Sequence, residues 1–249
     1  HISNHTDFDA LRLHPQIDLR YVRIGERIGH ADLIILPGSK NVIGDLAFLK
    51  SQGWQTEIEK HLRYGGTVLG ICGGFQMLGM QISDPDNIES SAISGISNTV
   101  EGLGLADFTT ILTPEKTLTQ VAGTISLANK TRNIKGYEIH CGVSTGPALT
   151  QPMVTSLTTS EPNSTNASGN QQNVDGFVSE DDQIAGTYVH GLFDSAAVTK
   201  LVLDWVAPNN SIYEAIDIDE HREIQLNRLA KVCNQHMDID KISSILAEG

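Results

Sequence analysis

The sequence predicts an α/β fold with a mostly parallel central sheet, flanking helices and extra antiparallel strands. Three observations carry this. Leu33-Ile34-Ile35-Leu36 is an unbroken apolar run stopped by Pro37-Gly38, the pattern of a strand buried on both faces. Thr67-Val68-Leu69 is a second such run, and it leads through Gly70-Ile71-Cys72-Gly73-Gly74 into the helix-like Phe75-Gln76-Met77-Leu78. Between the two runs lie helical patterns, so the order is strand, helix, strand, helix, as parallel pairing with crossover helices requires.

In chain order, residues 1–15 are polar and irregular, with one helical turn near residues 7–11. Residues 17–24 alternate Ile17, Leu19 and Tyr21 with Asp18 and Arg20, the period of a strand. Helix is expected at 45–49 and 54–64, the second closed by Gly65-Gly66. Asp84-Pro85-Asp86-Asn87 is a turn, and residues 90–104 are rich in Ser and Gly. Strands are expected at 107–112, 120–127 and 134–140. Residues 150–173, dominated by Ser, Thr, Asn, Gln and Pro, read as one surface loop. A hairpin follows at 174–179 and 183–189, turning at Glu180-Asp181-Asp182. The last third is helical, with Val198, Leu201, Val202 and Trp205 on one face and Leu226, Leu229 and Cys233 on another; both stripes read as core packing.

Composition narrows the function classes. The 249 residues suffice for one large α/β domain. A net charge of −13 with no basic cluster argues against a nucleic-acid partner. No apolar run approaches the roughly 20 residues of a membrane helix, so no membrane partner is expected. Cys72, Cys141 and Cys233 are too few and scattered for a disulfide framework, which points to a reducing cytoplasm. No metal-ligand spacing is present, and His140 and Cys141, adjacent on a strand, point to opposite faces. The chain starts with His1, so it reads as a piece of something longer.

Chemistry concentrates at Cys72. A sharp strand-to-helix corner needs neighbours without Cβ, which the flanking glycines supply, and the positive end of a helix favours thiolate over thiol. By position alone, a small buried hydrophobe and a nucleophile are equal readings; the glycines and the helix start favour the nucleophile. His190 ends the strand-like Ile184-Ala185-Gly186-Thr187-Tyr188-Val189, where a parallel sheet gathers its site, and is either its acid/base or an ordinary core histidine. The Pro37-Gly38-Ser39 loop brings a backbone N–H from Gly38 that could join that of Gly73 in an oxyanion hole; an ordinary strand-to-helix turn is the plainer reading. Glu138 and His140 share one strand face, either a cleft wall or, as the residues alone favour, an exposed sheet face.

Taken together, Leu36-Pro37-Gly38-Ser39-Lys40, the stretch 70–79, Asp84-Pro85, Gly136-Tyr137-Glu138-Ile139-His140 and Thr187-Tyr188-Val189-His190-Gly191-Leu192-Phe193, with Ile2-Ser3-Asn4 and Thr6-Asp7-Phe8-Asp9 ahead of them, resemble class I, triad-type glutamine amidotransferases of flavodoxin-like fold. The cysteine elbow is shared by all of that class. The Gly-Tyr-Glu-Ile-His and Thr-Tyr-x-His-Gly-Leu-Phe segments resemble more narrowly the glutaminase domains of the cobyric and cobyrinic acid amidating enzymes of cobalamin biosynthesis, cobyric acid synthase above all. The resemblance implies one glutaminase domain over residues 1–249, with Cys72 attacking glutamine to form a thioester, His190 as acid/base and Gln76 contacting bound glutamine. It implies no cofactor in this piece. ATP and magnesium would belong to an absent N-terminal synthetase domain, where the ammonia amidates corrinoid carboxylates b, d, e and g. No Gly-x-x-x-x-Gly-Lys-Ser/Thr loop occurs in these residues. The first strand of the family's sheet is expected just before His1.

One departure stands out: where many class I members have a glutamate two residues after the histidine, this chain has Leu192. His190 is then oriented by another group, with Glu138 the candidate, or by none. Two other readings remain beside the leading one. The same chemistry could feed cobyrinic acid a,c-diamide synthase or a Mur-ligase-type amidase. Alternatively, the domain is a non-catalytic docking module, which the intact Cys72 and His190 argue against.

Overall fold

The computed structural model describes residues 2–89, 98–159, 173–208, 218–238 and 241. The chain opens with a 3-10 turn, His5–Phe8, running into α1 (Asp9–Leu13). Then come β1 (Leu33–Leu36), α2 (Val42–Ser51), α3 (Trp54–Arg63), β2 (Thr67–Ile71) and α4 (Gly73–Leu78). Short strands β3 (Gln81–Ser83), β4 (Thr99–Glu101) and β5 (Thr109–Ile111) follow. A long hairpin pairs β6 (Thr117–Leu127) with β7 (Lys130–His140). After it come β8 (Val143–Thr145), β9 (Val154–Thr159), β10 (Phe177–Val178), β11 (Ile184–Thr187) and β12 (Val189–His190). Helices α5 (Ala196–Val206) and α6 (Ile218–His236) follow.

Among the described residues the strands form three four-stranded sheets. The central one runs β1-β2-β11-β10; its first three strands are parallel and β10 folds back antiparallel on β11. The second, β12-β7-β6-β9, is antiparallel throughout. The third, β4-β3-β5-β8, is mixed. The α/β class and the parallel centre expected from the sequence are thus present.

The continuous apolar strands are explained by burial on both faces. Side chains alternate across a strand, so Val68 joins a core with α2, α3, Phe75 and Phe108, while Leu69 and Ile71 join another with α5 and the β6–β7–β9 sheet. Helix α2 starts where Asn41 Oδ1 accepts from Gly44 N at 2.9 Å, and it buries Val42, Ile43, Leu46 and Leu49. Helix α5 is capped by Ser195 and buries Val198, Leu201, Val202 and Trp205, the face expected from the sequence.

Three expectations are corrected. Residues 17–24 belong to no strand, and residue 24 enters a turn. Three of their apolar residues still pack inward, Ile17 and Leu19 against one core and Val22 against the other, while Tyr21 and Ile24 are exposed. The backbone just beyond is held by side chains instead of a ladder: Ile28 N donates to Glu57 Oε2 at 2.7 Å, and Trp54 Nε1 donates to Glu26 O at 2.8 Å. The tract 150–173 is not all loop. Val154–Thr159 is β9, paired with β6 through its Thr and Val residues, whose branched side chains suit a pleated surface; residues 160–172 lie outside the described residues. On α6, Leu226 and Leu229 are 58% and 59% exposed, so that stripe is not core. The Ser- and Gly-rich stretch contains β4, and residues 90–97 lie outside the described residues.

Candidate active site

Cys72 sits between β2 and α4 with φ 52° and ψ −112°, a conformation a non-glycine residue rarely adopts. Its neighbours explain why the chain tolerates it. A Cβ on Gly74 would lie 1.9 Å from Leu36 O, at the end of β1, so only glycine lets α4 start against that strand. Cys72 N donates to Thr187 O at 2.8 Å, which ties the corner to the end of β11. The thiol is 5% exposed and its Sγ–H points to Ile139 O at 3.4 Å.

His190 reaches the same corner from the other side. The chain leaves the central sheet after Thr187 and crosses to the second sheet as β12, with His190 opposite Tyr137 of β7. The His190 ring is 1% exposed, stacks on the Tyr137 ring at 5.1 Å and 8°, and presents its Nδ1 to Asp7 Oδ2 at 2.6 Å. Its Nε2 has no hydrogen-bond partner among the described residues. With Nδ1 engaged by Asp7, Nε2 is the ring nitrogen left for the nearby Cys72, whose sulfur acts on the His190 titration. Burial pulls the His190 pKa down, but the Asp7 carboxylate and the Cys72 sulfur outweigh it and lift it from 6.5 to about 9.

The loop after β1 closes the corner. A Cβ on Gly38 would meet His190 Cε1 at 3.0 Å and Ser3 Oγ at 2.7 Å, and one on Gly73 would meet Ser39 N at 2.8 Å. Gly38 and Gly73 therefore adjoin one another beside Cys72 and His190, with the first N–H groups of α4 lacking intrahelical acceptors. Cys72, His190, Gly38 and Gly73, singled out from the sequence, are brought together.

Gln76 lies one turn along α4, 2% exposed, and its Nε2 donates to Tyr188 OH at 3.2 Å. Tyr188 also meets Ser144 Oγ at 2.7 Å and stacks on His140 at 3.8 Å. Gln76 thus belongs to a buried polar network behind the corner. Asp175 is part of this inner layer, accepting from Thr187 Oγ1 and from Tyr188 N at 3.0 Å. Burial, then the nearby Glu138, push its pKa up to about 7, against the pull of those hydrogen bonds.

Glu138 is not the partner of His190. The antiparallel register sets Val189 against Glu138 and His190 against Tyr137. Paired residues point to the same side of the sheet, so Tyr137 shares the face of His190 and Glu138 takes the other. There Glu138 Oε2 lies 3.8 Å from His140 Nε2, in the buried layer and not on an exposed sheet face. The residue that sequence reading missed is Asp7. It is separated from His190 by 183 positions, so no local spacing reports it, although Thr6-Asp7-Phe8-Asp9 was among the motifs of the resemblance.

No group of three or more His, Cys, Asp or Glu among the described residues could hold a metal ion. A cleft of about 340 Å³ opens beside the Gly38-Ser39 loop, lined by Ile2, Ser3, Lys40, Asn41 and Phe48 among others; neither Cys72 nor His190 lines it.

The fold and site are those of an α/β domain with a cysteine on a strand–helix corner beside a histidine at the end of a neighbouring strand. Residues 1–198 match the family model of the CobB/CobQ-like glutamine amidotransferase domain, and the chain belongs to that family. It is 48% identical over 239 residues to a cobyric acid synthase of Vibrio campbellii, covering 96% of this chain and 46% of the relative. Against a cobyric acid synthase of Shewanella oneidensis it is 46% identical over 257 residues, covering 98% and 48%. The chain thus spans about half the length of the curated relatives it matches. Among solved structures, PurLQS from Thermotoga maritima is similar in fold, with a TM-score of 0.54 at 18% identity, over 82% of this chain and 91% of that one. No helix among the described residues is long and apolar enough to cross a membrane.

Proposed function

We propose that the chain is the glutaminase part of a cobyric acid synthase. Cys72 Sγ attacks the side-chain amide carbon of glutamine, with the developing oxyanion received by the N–H groups of Gly38 and Gly73. A histidine of pKa about 9 is an imidazolium at neutral pH, suited to stand beside a thiolate and to protonate the leaving nitrogen. Ammonia departs and a γ-glutamyl thioester remains. His190, now neutral, takes a proton from water, which adds to the thioester and releases glutamate and the thiol. Gln76, on the first turns of α4, contacts the bound glutamine. The balance is glutamine plus water giving glutamate plus ammonia.

The observation that carries this reading is the positive-φ Cys72 at the start of α4, facing the unpartnered Nε2 of His190. The names of the relatives support the destination of the ammonia: ATP-dependent amidation of corrinoid carboxylates by a synthetase domain in the part of those proteins that this chain does not cover. ATP and magnesium would act there.

An electrophilic glutamine analogue tests the chemistry. It is expected to add one covalent group at Cys72, found by peptide mass mapping, and to abolish glutamine hydrolysis. Cys72→Ala should take up none. Equal labelling of Cys72→Ala would overturn the assignment.

A further inference from the structure

A catalytic histidine works from one tautomer, and something must hold it there. Leu192, where the wider class carries its carboxylate, is 1% exposed and part of an apolar core. Glu138 faces away. The group at Nδ1 is Asp7, at 2.6 Å.

Asp7 is held by more than this one contact. It is 6% exposed, and a carboxylate buried so deeply needs partners for both oxygens. Oδ2 meets His190, while Oδ1 accepts from Asn4 Nδ2 at 2.8 Å. The second hydrogen of the same amide goes to Tyr137 OH at 2.6 Å, and Thr6 Oγ1 donates to Asn4 Oδ1 at 2.7 Å, which fixes the amide's orientation. Tyr137 in turn stacks on the His190 ring. Asn4 thus ties together the carboxylate at the edge of the imidazole and the ring against its face. The backbone joins in: Ser3 N donates to Gly38 O at 2.9 Å, on the loop that adjoins Cys72.

We infer that Asp7 is the positioning carboxylate of His190, set in place by Asn4, and that residues 3–7 form the wall completing the site. Asp7 keeps Nδ1 protonated, so that Nε2 faces Cys72, and it stabilises the imidazolium. This supplies the third member that Leu192 leaves out, from the opposite end of the chain. The inference rests on the proposed glutamine hydrolysis for its kinetic consequence, and on geometry alone for the state of His190.

The test uses Asp7→Asn, Asp7→Glu and Asn4→Ala in the full-length protein, with Glu138→Gln as comparator. Asp7→Asn should lower kcat for glutamine roughly 10²- to 10⁴-fold with little change in KM, since a wrong tautomer blocks the chemistry and not binding. The His190 titration, followed by NMR of its ring, should move down from about 9 towards the ordinary histidine value. The groups facing that ring are Asp7, Cys72 and Tyr137. Asp7→Glu should recover part of the rate, Asn4→Ala should lose about tenfold with the same direction of titration shift, and Glu138→Gln should match the wild type. Asp7→Asn with wild-type kcat and an unmoved His190 titration would overturn the inference. If Asp7→Asn does not fold, Asn4→Ala decides: an unshifted titration overturns, a downward shift supports. If the wild type neither hydrolyses glutamine nor takes up the analogue, the hydrolase reading fails, and the His190 titration still decides whether Asp7 positions the ring.

Discussion

Two buried ionisable residues, His190 and Asp175, have raised pKa values that make stability depend on pH near neutrality. His190 binds its proton more tightly folded than unfolded, since its pKa is near 9 against 6.5 for an ordinary histidine. Its contribution to stability is therefore complete below pH 6.5 and is lost as the pH rises through about 9. Thermal unfolding followed between those limits should show the melting temperature falling with pH, and falling less in Asp7→Asn; parallel curves for the two proteins would count against the Asp7 contact. Asp175 is an acid with a raised pKa of about 7, so the folded state again holds the proton more tightly and stability drops as pH rises through 7. Both of its hydrogen bonds are accepted by Oδ2, which an amide oxygen can replace. Asp175→Asn should therefore leave stability almost unchanged only below about pH 3.8, where the acid is protonated in both states, and raise it increasingly from there to a plateau above about pH 7, as a denaturant midpoint would register.

At the level of elements, the corner is the best-written part of the sequence. Its message is local: two apolar runs, glycines on both sides of a cysteine, and a helix start all lie within neighbouring residues, where spacing reports geometry. Gly74→Ala tests how strictly. The added Cβ would fall 1.9 Å from Leu36 O, backbone against backbone, with no flexible side chain to give way. The cost should exceed the 1–3 kcal/mol typical of overpacking, roughly 3 kcal/mol or more, or prevent folding; a loss under about 0.5 kcal/mol in urea unfolding would contradict the packing described. The third member of the site was illegible for the opposite reason. Glu138 looked suitable because it is polar and sits in a motif, but which strand face meets His190 depends on the β7–β12 register. A one-residue change in register exchanges the faces, and no local pattern encodes it. Asp7 depends on a contact across nearly the whole chain.

At the scale of the whole molecule, the α/β class followed from strand and helix order, because parallel pairing needs the crossovers that the periodicity displays. The errors fell where tertiary context overrides pattern. Residues 17–24 alternate like a strand but run along the surface of two cores, with backbone beyond them met by Glu57 and Trp54 side chains. The Thr- and Ser-rich residues 154–159 nevertheless form a strand, since β6 offers a long edge and Val154 and Leu157 are buried in the core. The apolar side chains of α6 obey helical spacing, yet Leu226 and Leu229 remain exposed. Periodicity says which residues share a face and not whether another element covers it.

The long reach of the Asp7–His190 contact also bears on synthesis. Synthesis runs from the N-terminal side, so Asp7 emerges long before His190, which lies 183 positions further on. A chain truncated short of residue 190 holds Cys72 and its corner without the histidine that Asp7 contacts, so the proposed chemistry would begin only once both segments are in place.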